Sequence, residues 1–266
     1  MLLDPGGTRL KFARLVEGRI GATGEVSWNR LQESGLGDGS LSTIDALNGQ
    51  CDPGTDAAWA LHVLDRPDPP AAGPNWVGRF CHAAGISAWE CRPIGVPDKP
   101  GFTVEYQGGQ PGSDRMAAAV ACHAEDPGGS FIIIDAGTCI TVDLMSPGHW
   151  RGGAILPGLA LQARAMKEAG LPEIAPLPTG GWVAHDGVEG AIGTSTDSAI
   201  RAGIPWAVRK SVEAICRAFM ELDPCAQVIL TGGDAGHFDG VGGWQTFADP
   251  NLVLRGAARL LLTQDR

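Results

Sequence analysis

The sequence lacks an excess of basic residues and long apolar runs, and each absence excludes a class of protein. Its 20 lysines and arginines stand against 30 aspartates and glutamates, which gives a formal net charge of −10. That balance disfavours a nucleic-acid-binding surface and an anchor for anionic membranes. No stretch approaches the roughly 18 apolar residues that a transmembrane helix needs. We therefore expect neither nucleic acid nor a membrane among the partners of this chain.

Paired cysteines and leader-peptide features are missing as well. The seven cysteines are dispersed without a Cys-x-x-Cys pair, and the six histidines show no metal-ligand spacing, so neither a disulfide framework nor a zinc site is predicted. The first seven residues, MLLDPGG, contain neither the basic nor the apolar segment of a signal peptide. These features favour a cytoplasmic location.

Glycine is what the sequence has in abundance. The 266 residues include 39 glycines and 19 prolines, together about a fifth of the chain, which is just below the range typical of low-complexity disorder. Because 44% of the residues are hydrophobic, the chain can fill the core of one large or two medium domains. The composition predicts a folded protein with many loops.

Two segments repeat one local design, in which an apolar strand ends in aspartate and a glycine turn with threonine leads into a second strand. The first is residues 2–12, with Asp4 and the turn PGGT, and the second is residues 131–144, with Asp135 and the turn AGT. A third apolar run, residues 228–230, opens into TGGD. The pattern predicts two β-hairpins and a third strand that ends in a glycine turn.

Three further segments have helical periodicity. An alanine-rich run over residues 115–122 follows Asp114, a residue type that commonly caps helices. Residues 198–221 carry apolar side chains at helical spacing, and Pro205 is expected to kink or restart that helix. Residues 251–263 predict a C-terminal helix. Strands mixed with helices indicate an α/β protein.

The two hairpin turns have the composition of a phosphate-binding site. Glycine lets main-chain N–H groups approach an anion closely, and the hydroxyls of Thr8 and Thr138 add donors. Lys11 is placed to reach a terminal phosphate as a point charge, and Asp4 and Asp135 would hold a hydrated cation nearby. Each hairpin alone is more often a structural turn. The repetition of the same residue order favours phosphate binding.

The order of motifs along nearly the whole chain resembles the type III pantothenate kinases. The most specific parts of that resemblance are the Gly-x-Asp-Arg and Asp-x-Gly-Thr-x-x-Thr motifs, and Cys139 stands where the family usually has alanine. In family order, the motifs are Asp4-x-Gly6-x-Thr8-x-x-Lys11, Gly112-Ser113-Asp114-Arg115, Asp135-Ala136-Gly137-Thr138-x-x-Thr141-Val142-Asp143, Gly152-Gly153-x-Ile155-x-Pro157-Gly158, Thr196-x-x-x-Ile200-x-x-Gly203 and Thr231-Gly232-Gly233-Asp234.

The resemblance implies an α/β fold of two actin-like, ribonuclease-H-like domains, as in the superfamily of acetate and sugar kinases, Hsp70 chaperones and actin. The domains would be residues 1–111, with the first phosphate hairpin, and residues 112–266, with the second, and ATP phosphates would lie between them. A homodimer is implied as well. The seam falls at residues 108–112, between the two hairpin copies, and the proline-rich residues 66–75 predict a connector without regular structure.

The same resemblance implies ATP-dependent phosphorylation of pantothenate to 4'-phosphopantothenate, the first step of coenzyme A biosynthesis. ATP would be bound with Mg²⁺, a monovalent cation (K⁺ or NH₄⁺) would be held by Asp135, and Asp114 would be the general base. The ATP site would comprise Asp4, Pro5, Gly6, Gly7, Thr8, Arg9, Leu10, Lys11 and Thr138. The pantothenate site would comprise Tyr106, Gly112, Ser113, Asp114, Arg115 and Thr196.

The residues alone leave other interpretations open. Asp114 and Thr196 are types that commonly cap helices, Arg115 in a first helical turn is usually a solvated charge, and Tyr106 could cover the edge of a core. Two rival functions are a related actin-fold kinase for a sugar or short acid and a non-catalytic regulatory homologue that binds nucleotide. The first has no reason to keep the Gly-x-Asp-Arg motif, and the second has none to keep Lys11 and Asp114.

Overall fold

The computed structural model describes most of the chain, and the described residues group into two compact units. Unit 1 comprises Met1–Pro100, Gln110–Ala121 and Leu252–Arg266, and unit 2 comprises Gly101–Gly109 and Cys122–Asn251. The predicted domain boundary after residue 111 stays a prediction, because grouping by proximity does not by itself define independently folding domains. The predicted connector at residues 66–75 lies outside the described residues, which are 1–16, 19–28, 59–64, 76–83, 89–95, 100–107, 109–174 and 191–264.

Unit 1 is built on a five-stranded sheet with the order β3-β2-β1-β4-β5. The first three strands are antiparallel neighbours, whereas β4 and β5 run parallel to β1. One face packs Leu3 and Phe12 against Phe80 of helix α1 (Trp76–Ala83), with the Phe12 and Phe80 rings 5.4 Å apart. The strands are β1 (Leu2–Pro5), β2 (Arg9–Val16), β3 (Arg19–Ser27), β4 (Trp59–Leu64) and β5 (Trp89–Ile94).

Unit 2 is built on a six-stranded sheet with the order β11-β10-β7-β8-β9-β6. Ile132 and Ile134 of β7 pack into the main core, so the alternation of a strand directs Ile133 and Asp135 to the opposite face. Both predicted hairpins and the third predicted strand are confirmed. The strands are β6 (Thr103–Val104), β7 (Phe131–Ala136), β8 (Cys139–Ser146), β9 (His149–Pro157), β10 (Gln227–Thr231) and β11 (Thr246–Ala248).

The three predicted helices are confirmed, two with wider bounds and the C-terminal one shifted by a single residue. They are α2 (Ser113–Glu125), α4 (Thr196–Leu222) and α5 (Leu252–Gln264), and a further helix, α3 (Leu159–Glu168), follows β9. Among the described helices, none has the length and apolar character needed to cross a membrane.

Helix α4 differs from its prediction at two positions. Ser195 is its N-cap and forms a capping box with Ser198, in which each hydroxyl accepts from the other residue's amide, so the alternative that Thr196 is the cap is wrong. The helix also continues through Pro205 without a restart, and the kink that was the other alternative stays a prediction. Proline removes only one hydrogen bond of the ladder, and the burial of the helix's apolar face stabilises the continuous form.

Alanine substitutions at two helical glycines test how closely the helices pack. A Cβ at Gly256 of α5 would overlap the carbonyl of Ala117 in α2, whereas a Cβ at Gly203 of α4 would meet none of the described residues within 4 Å. We expect Gly256→Ala to lower the free energy of unfolding by about 1–3 kcal/mol through overpacking, and Gly203→Ala to raise it by roughly 0.5–1 kcal/mol. Urea unfolding of both variants measures the difference, and equal effects would contradict the backbone contact between α2 and α5.

Candidate functional site

The turn between β1 and β2 is closed by backbone hydrogen bonds and fixed by a tryptophan. The Gly6 amide donates to the Asp4 carbonyl at 3.0 Å, and Trp28 donates from Nε1 to the Gly6 carbonyl at 2.7 Å and from its amide to the Thr8 carbonyl at 3.3 Å. A Cβ at Gly6 would lie 2.9 Å from the carbonyl oxygen of Arg9. Glycine therefore permits the tight turn, and the Gly6 amide is engaged within it.

The neighbouring residues that are predicted to contact ATP differ in whether their side chains are buried or exposed. Pro5 and Leu10 oppose each other as the last pair of the β1–β2 ladder, and both are buried. Gly7 lies in the turn, and Thr8 is exposed there. A ligand at this turn would meet the side chain of Thr8 but only the backbone of Pro5 and Leu10.

A row of charged residues crosses the antiparallel strands of unit 1. Asp4 of β1 lies directly opposite Lys11 of β2, and Lys11 lies directly opposite Glu25 of β3. Opposite residues share a face with Cβ atoms about 4.5–5.5 Å apart, so carboxylates flank Lys11 on both sides. Arg9 shares that face and contacts Glu25 through a 2.6 Å ion pair between Nη1 and Oε1. The structure thus brings the predicted pair Asp4 and Lys11 together.

The turn between β7 and β8 lies between two other backbone segments of unit 2. A Cβ at Gly158 would overlap the carbonyl of Gly137, and a Cβ at Gly232 would overlap the carbonyl of Ala136. Gly232 also has a φ of +94°, which glycine adopts far more readily than other residues. The three glycine turns of unit 2 therefore meet backbone to backbone.

Hydrogen bonds complete this packing. The Gly158 amide donates to the Thr138 carbonyl, and the Asp234 amide donates to the Ala136 carbonyl, both at 2.9 Å. Within the turn, the Gly137 amide donates to the Cys139 carbonyl at 2.9 Å. The amide of Gly137, like that of Gly6, is thus engaged in the turn itself, which leaves the threonine hydroxyls as the stronger candidates for phosphate donors.

A buried arginine fixes the segment that follows the third glycine turn. Arg209 of α4 donates from Nη1 to the His237 carbonyl at 2.6 Å and from Nη2 to the Asp239 carbonyl at 3.0 Å. The His237 amide in turn donates to the Asp234 carbonyl at 3.0 Å. The turn at Thr231–Asp234 is therefore anchored to helix α4 as well as to the β7–β8 turn.

Two threonine hydroxyls beside these turns have no hydrogen-bond partner in the described part of the chain. They are Oγ1 of Thr138 and Oγ1 of Thr231, and both atoms are buried. A buried polar atom without a partner costs about 1–3 kcal/mol, so such atoms are completed by an ordered water, an ion or a ligand. Thr138 is a predicted ATP contact, whereas no contact was predicted for Thr231.

Asp135 lies in the middle of a row of oxygen-bearing side chains. Thr231 of β10 is its direct neighbour on one side, and Thr141 of β8 is its direct neighbour on the other. Oxygen ligands of this kind suit hard cations. No group of three or more His, Cys, Asp and Glu residues that could hold a metal occurs among the residues described. The row fits a cation bound by one carboxylate and neutral oxygens, as predicted for K⁺ or NH₄⁺.

The start of helix α2 fixes the predicted general base. The helix begins at Ser113, so Asp114 lies in its first turn and not at its cap. Oδ1 of Asp114 accepts from the Arg115 amide at 2.9 Å. A Cβ at Gly112 would lie 2.6 Å from that oxygen, so glycine leaves the space into which the carboxylate folds.

The residues on either side of Asp114 are buried. Arg115 is only 7% exposed, and the interpretation of it as a solvated charge is therefore wrong. Ser113 is 2% exposed, and its Oγ has no hydrogen-bond partner within the described residues. A guanidinium that cannot lose its charge is costly to bury unless it is paired. The Gly112–Arg115 segment thus combines a positioned carboxylate, a buried positive charge and an unsatisfied hydroxyl.

The other two predicted pantothenate contacts belong to unit 2, whereas Gly112–Arg115 belong to unit 1. The Tyr106 ring lies 5.7 Å from the ring of the buried Trp150 and is 42% exposed, so Tyr106 does cover a core edge. Thr196 is the first residue of α4 and is exposed.

Known proteins resemble this chain over its whole length. A sequence model described as type III pantothenate kinase matches residues 79–218. A protein of that name from Alkalilimnicola ehrlichii is 33% identical over 279 aligned positions, which cover 98% of this chain and 96% of the relative. The chain belongs to the type III pantothenate kinase family. A second member, from Porphyromonas gingivalis, is 29% identical and covers 84% of this chain and 89% of its own length.

Solved structures agree with the actin-like fold expected for the family. One is described as a Baf family transcriptional activator from Campylobacter jejuni, with a TM-score of 0.52 at 18% identity over 99% of this chain and 98% of that one. Another is described as a 2-dehydro-3-deoxygalactonokinase from Sinorhizobium meliloti, with a TM-score of 0.52 at 10% identity over the same shares. At these identities the likeness shows the fold alone, and the expected α/β actin-like fold is confirmed.

Two residues that support the family's motifs, Arg209 and Trp28, were not predicted, and Thr231 was placed in a motif without a role of its own. Arg209 had a signal, because it falls on the buried stripe of α4 formed with Pro205, Val212 and Cys216, where a charged residue must find buried partners. The sequence signal for a role of Thr231 was weaker: the residue lies at a strand end beside a glycine pair. No signal in the sequence indicated the hydrogen bond from the Trp28 indole to the first turn.

The close packing of the glycine turns can be tested with two positions of positive φ. Gly232→Ala and Gly243→Ala both place alanine in the left-handed region, which costs roughly 1–2 kcal/mol. In the described part of the chain, however, a Cβ at Gly243 would meet nothing within 4 Å. We expect Gly232→Ala to lose about 1–3 kcal/mol more, because its Cβ overlaps Ala136. Denaturant unfolding gives both values. The same loss in both variants would show that the turns are not tightly packed.

Proposed function

We propose that this chain catalyses the ATP-dependent phosphorylation of pantothenate to 4'-phosphopantothenate, the first step of coenzyme A biosynthesis. The observation that carries the proposal is the similarity over 98% of the chain to a relative named type III pantothenate kinase. The geometry at the start of α2 and at both hairpins supports the proposal, because motif residues there hold oriented or buried polar groups that a turn alone does not require.

Asp114 is the proposed general base. The bond from the Arg115 amide orients its carboxylate, which takes the proton of the primary hydroxyl of pantothenate. The hydroxyl oxygen then attacks the γ-phosphorus of ATP, and the bond between that phosphorus and the oxygen of ADP breaks. The products are ADP and the phosphate ester, with the proton left on Asp114. Proton transfer to a positioned general base typically contributes about 10²–10⁴-fold to the rate.

The remaining motif residues balance the charge of the phosphates. Phosphoryl transfer depends mainly on alignment and on electrostatic stabilisation of the equatorial oxygens. Lys11, Thr8 and Thr138 are proposed to contact the phosphates, and the buried Arg115 to pair with an anionic group of substrate or phosphate. Mg²⁺ bound with ATP, and K⁺ or NH₄⁺ at Asp135, would supply positive charge that a chain of net charge −10 otherwise lacks.

The pantothenate contacts are proposed at Gly112–Arg115, Tyr106 and Thr196. Among them, Ser113 has the strongest structural support, because its buried hydroxyl has no partner among the described residues and a polar group of the substrate would complete it. The exposed face of Tyr106 is accessible to a ligand even though its ring packs on Trp150. A homodimer and a cytoplasmic location are proposed with the function on the resemblance to the family.

The activity is tested by measuring ADP release from MgATP in KCl with and without pantothenate. We expect pantothenate-dependent turnover by the wild type and a loss of about 10²–10⁴-fold in kcat for Asp114→Asn, because the amide keeps the shape but cannot take the proton. The matched control is Asp126→Asn, beyond the other end of α2, where asparagine can still accept from the Gly128 amide.

Three outcomes separate the interpretations. Absence of pantothenate-dependent turnover in the wild type would refute the proposed function, and turnover with a sugar or short acid in its place would favour the related kinase. Full activity in Asp114→Asn would refute the assignment of the base alone.

Nucleotide binding at the second hairpin can be measured through a neighbouring thiol. Cys139 is exposed beside Thr138, and Cys225 is exposed at the opposite end of β10 from Thr231. We expect MgATP to slow alkylation of Cys139 severalfold and to leave Cys225 unchanged, as read by peptide mass spectrometry. Cys216 should stay unmodified at neutral pH, because burial raises the pKa of its thiol to about 12. Equal alkylation of Cys139 with and without MgATP would place the nucleotide elsewhere.

A further inference from the structure

We propose that Thr231 supplies a second protein oxygen, beside the carboxylate of Asp135, to the monovalent cation of this enzyme. The inference deepens the proposed function, which assigns that cation to Asp135, and it extends the assignment to a residue on a different strand. Its basis is the placement of an unsatisfied buried hydroxyl directly next to a carboxylate.

The hydroxyl of Thr231 is unusual for a buried group. The residue is 1% exposed, and its Oγ1 has no hydrogen-bond partner in the part of the chain that the structure describes. Buried hydroxyls nearly always have a partner. A threonine whose only role was to fill the space at the end of β10 would be replaced by valine at no cost, so the hydroxyl points to a ligand.

The strand register places that hydroxyl next to Asp135. Thr231 and Asp135 are direct neighbours on the parallel strands β10 and β7, which lie about 4.8 Å apart. Leu230 and Ile134 pack into the core of unit 2, so Thr231 and Asp135 both belong to the other face of the sheet. One small ion on that face can contact an oxygen from each strand.

The backbone holds the end of β10 in this position. The residue after Thr231 is Gly232, whose contact with Ala136 leaves no space for a Cβ, and the Asp234 amide bonds to the same Ala136 carbonyl at 2.9 Å. Arg209 anchors the segment beyond. A binding oxygen supported in this way loses little freedom when the ligand binds.

Charge identifies the ligand as a cation. A phosphate placed between Thr231 and Asp135 would be repelled by the carboxylate, whereas a cation is attracted by it and accepts the lone pairs of both oxygens. The row formed by Thr231, Asp135 and Thr141 offers one carboxylate and two hydroxyl oxygens, and the buried Asp143 lies on the same face two residues beyond Thr141. The choice of a monovalent ion comes from the proposed function.

The experiment compares Thr231→Val, which keeps the shape and removes the hydroxyl, with Thr231→Ser, which keeps the hydroxyl. Thermal unfolding midpoints are measured in KCl and in choline chloride at equal ionic strength, with and without MgADP. We expect K⁺ to raise the midpoint of the wild type and of Thr231→Ser, and to raise that of Thr231→Val by less than half as much. In choline chloride, the midpoint of Thr231→Val should equal or exceed that of the wild type, because valine removes an unsatisfied group.

Kinetics provides a second measurement. The half-saturating K⁺ concentration for pantothenate-dependent ADP release should rise about tenfold or more in Thr231→Val, while the KM for ATP at saturating K⁺ changes less than about twofold. A tenfold change in affinity corresponds to about 1.4 kcal/mol. Thr231→Ser should restore the half-saturating K⁺ concentration.

Several results would overturn the inference. An unchanged K⁺ increment in Thr231→Val would do so, as would a raised KM for ATP with unchanged K⁺ dependence, which would make the hydroxyl a nucleotide contact. An equal drop of the midpoint in both salts would make its role structural. A wild type that turns over pantothenate without responding to K⁺ would refute the inference and leave the proposed function intact. A wild type without turnover would refute the function, and the midpoints would still decide on the ion.

Discussion

The contact on which unit 2 depends is the backbone packing of Gly158 and Gly232 against the β7–β8 turn. Because no side chain separates these segments, the ends of three chain segments approach more closely than ordinary residues allow. That closeness places the hydroxyl of Thr138 at the turn and the hydroxyl of Thr231 beside the carboxylate of Asp135. The polar groups of the site are therefore positioned by main-chain geometry, which side-chain rotamer changes cannot easily disturb.

Unit 1 supports its equivalent turn by a different interaction. There the indole of Trp28 donates to the Gly6 carbonyl at 2.7 Å, and the indole ring packs edge-on against Trp76 with centroids 5.4 Å apart. The two turns share the order aspartate, glycine and threonine, yet one is held by an aromatic side chain and the other by neighbouring backbone. A shared motif thus specifies the local shape of a turn without specifying what holds it.

Local patterns predicted the elements of the fold well. The hairpins and the three helices follow from short-range alternation and spacing, which the structure confirms because these signals depend on neighbours in sequence. Of the two outcomes expected at Pro205, a kink or a restart, the restart was wrong, since the long buried face of α4 outweighs the local cost of the proline. The alternative that Arg115 is a solvated charge was wrong, because tertiary packing, not helix position, determines burial.

The candidate site was predictable only where a motif carried it. Asp4 and Lys11 lie opposite each other, as a hairpin joining their motif requires, but the support from Arg209 and the placement of Thr231 depend on contacts between segments far apart in sequence. Register between β7 and β10 cannot be read from either strand alone. The roles of Asp114, Tyr106 and Thr196 in binding and catalysis stay predictions, since their chemistry involves groups outside the chain.

The position of α5 has a consequence for how the protein is made. This helix belongs to unit 1 and packs against β1, β2 and β3, although all of Cys122–Asn251 lies between them in sequence. During synthesis from the amino terminus, every residue of unit 2 leaves the ribosome before α5 does. The core of unit 1 therefore cannot be completed until unit 2 has been synthesised, and its apolar sheet surface must wait for the helix that covers it.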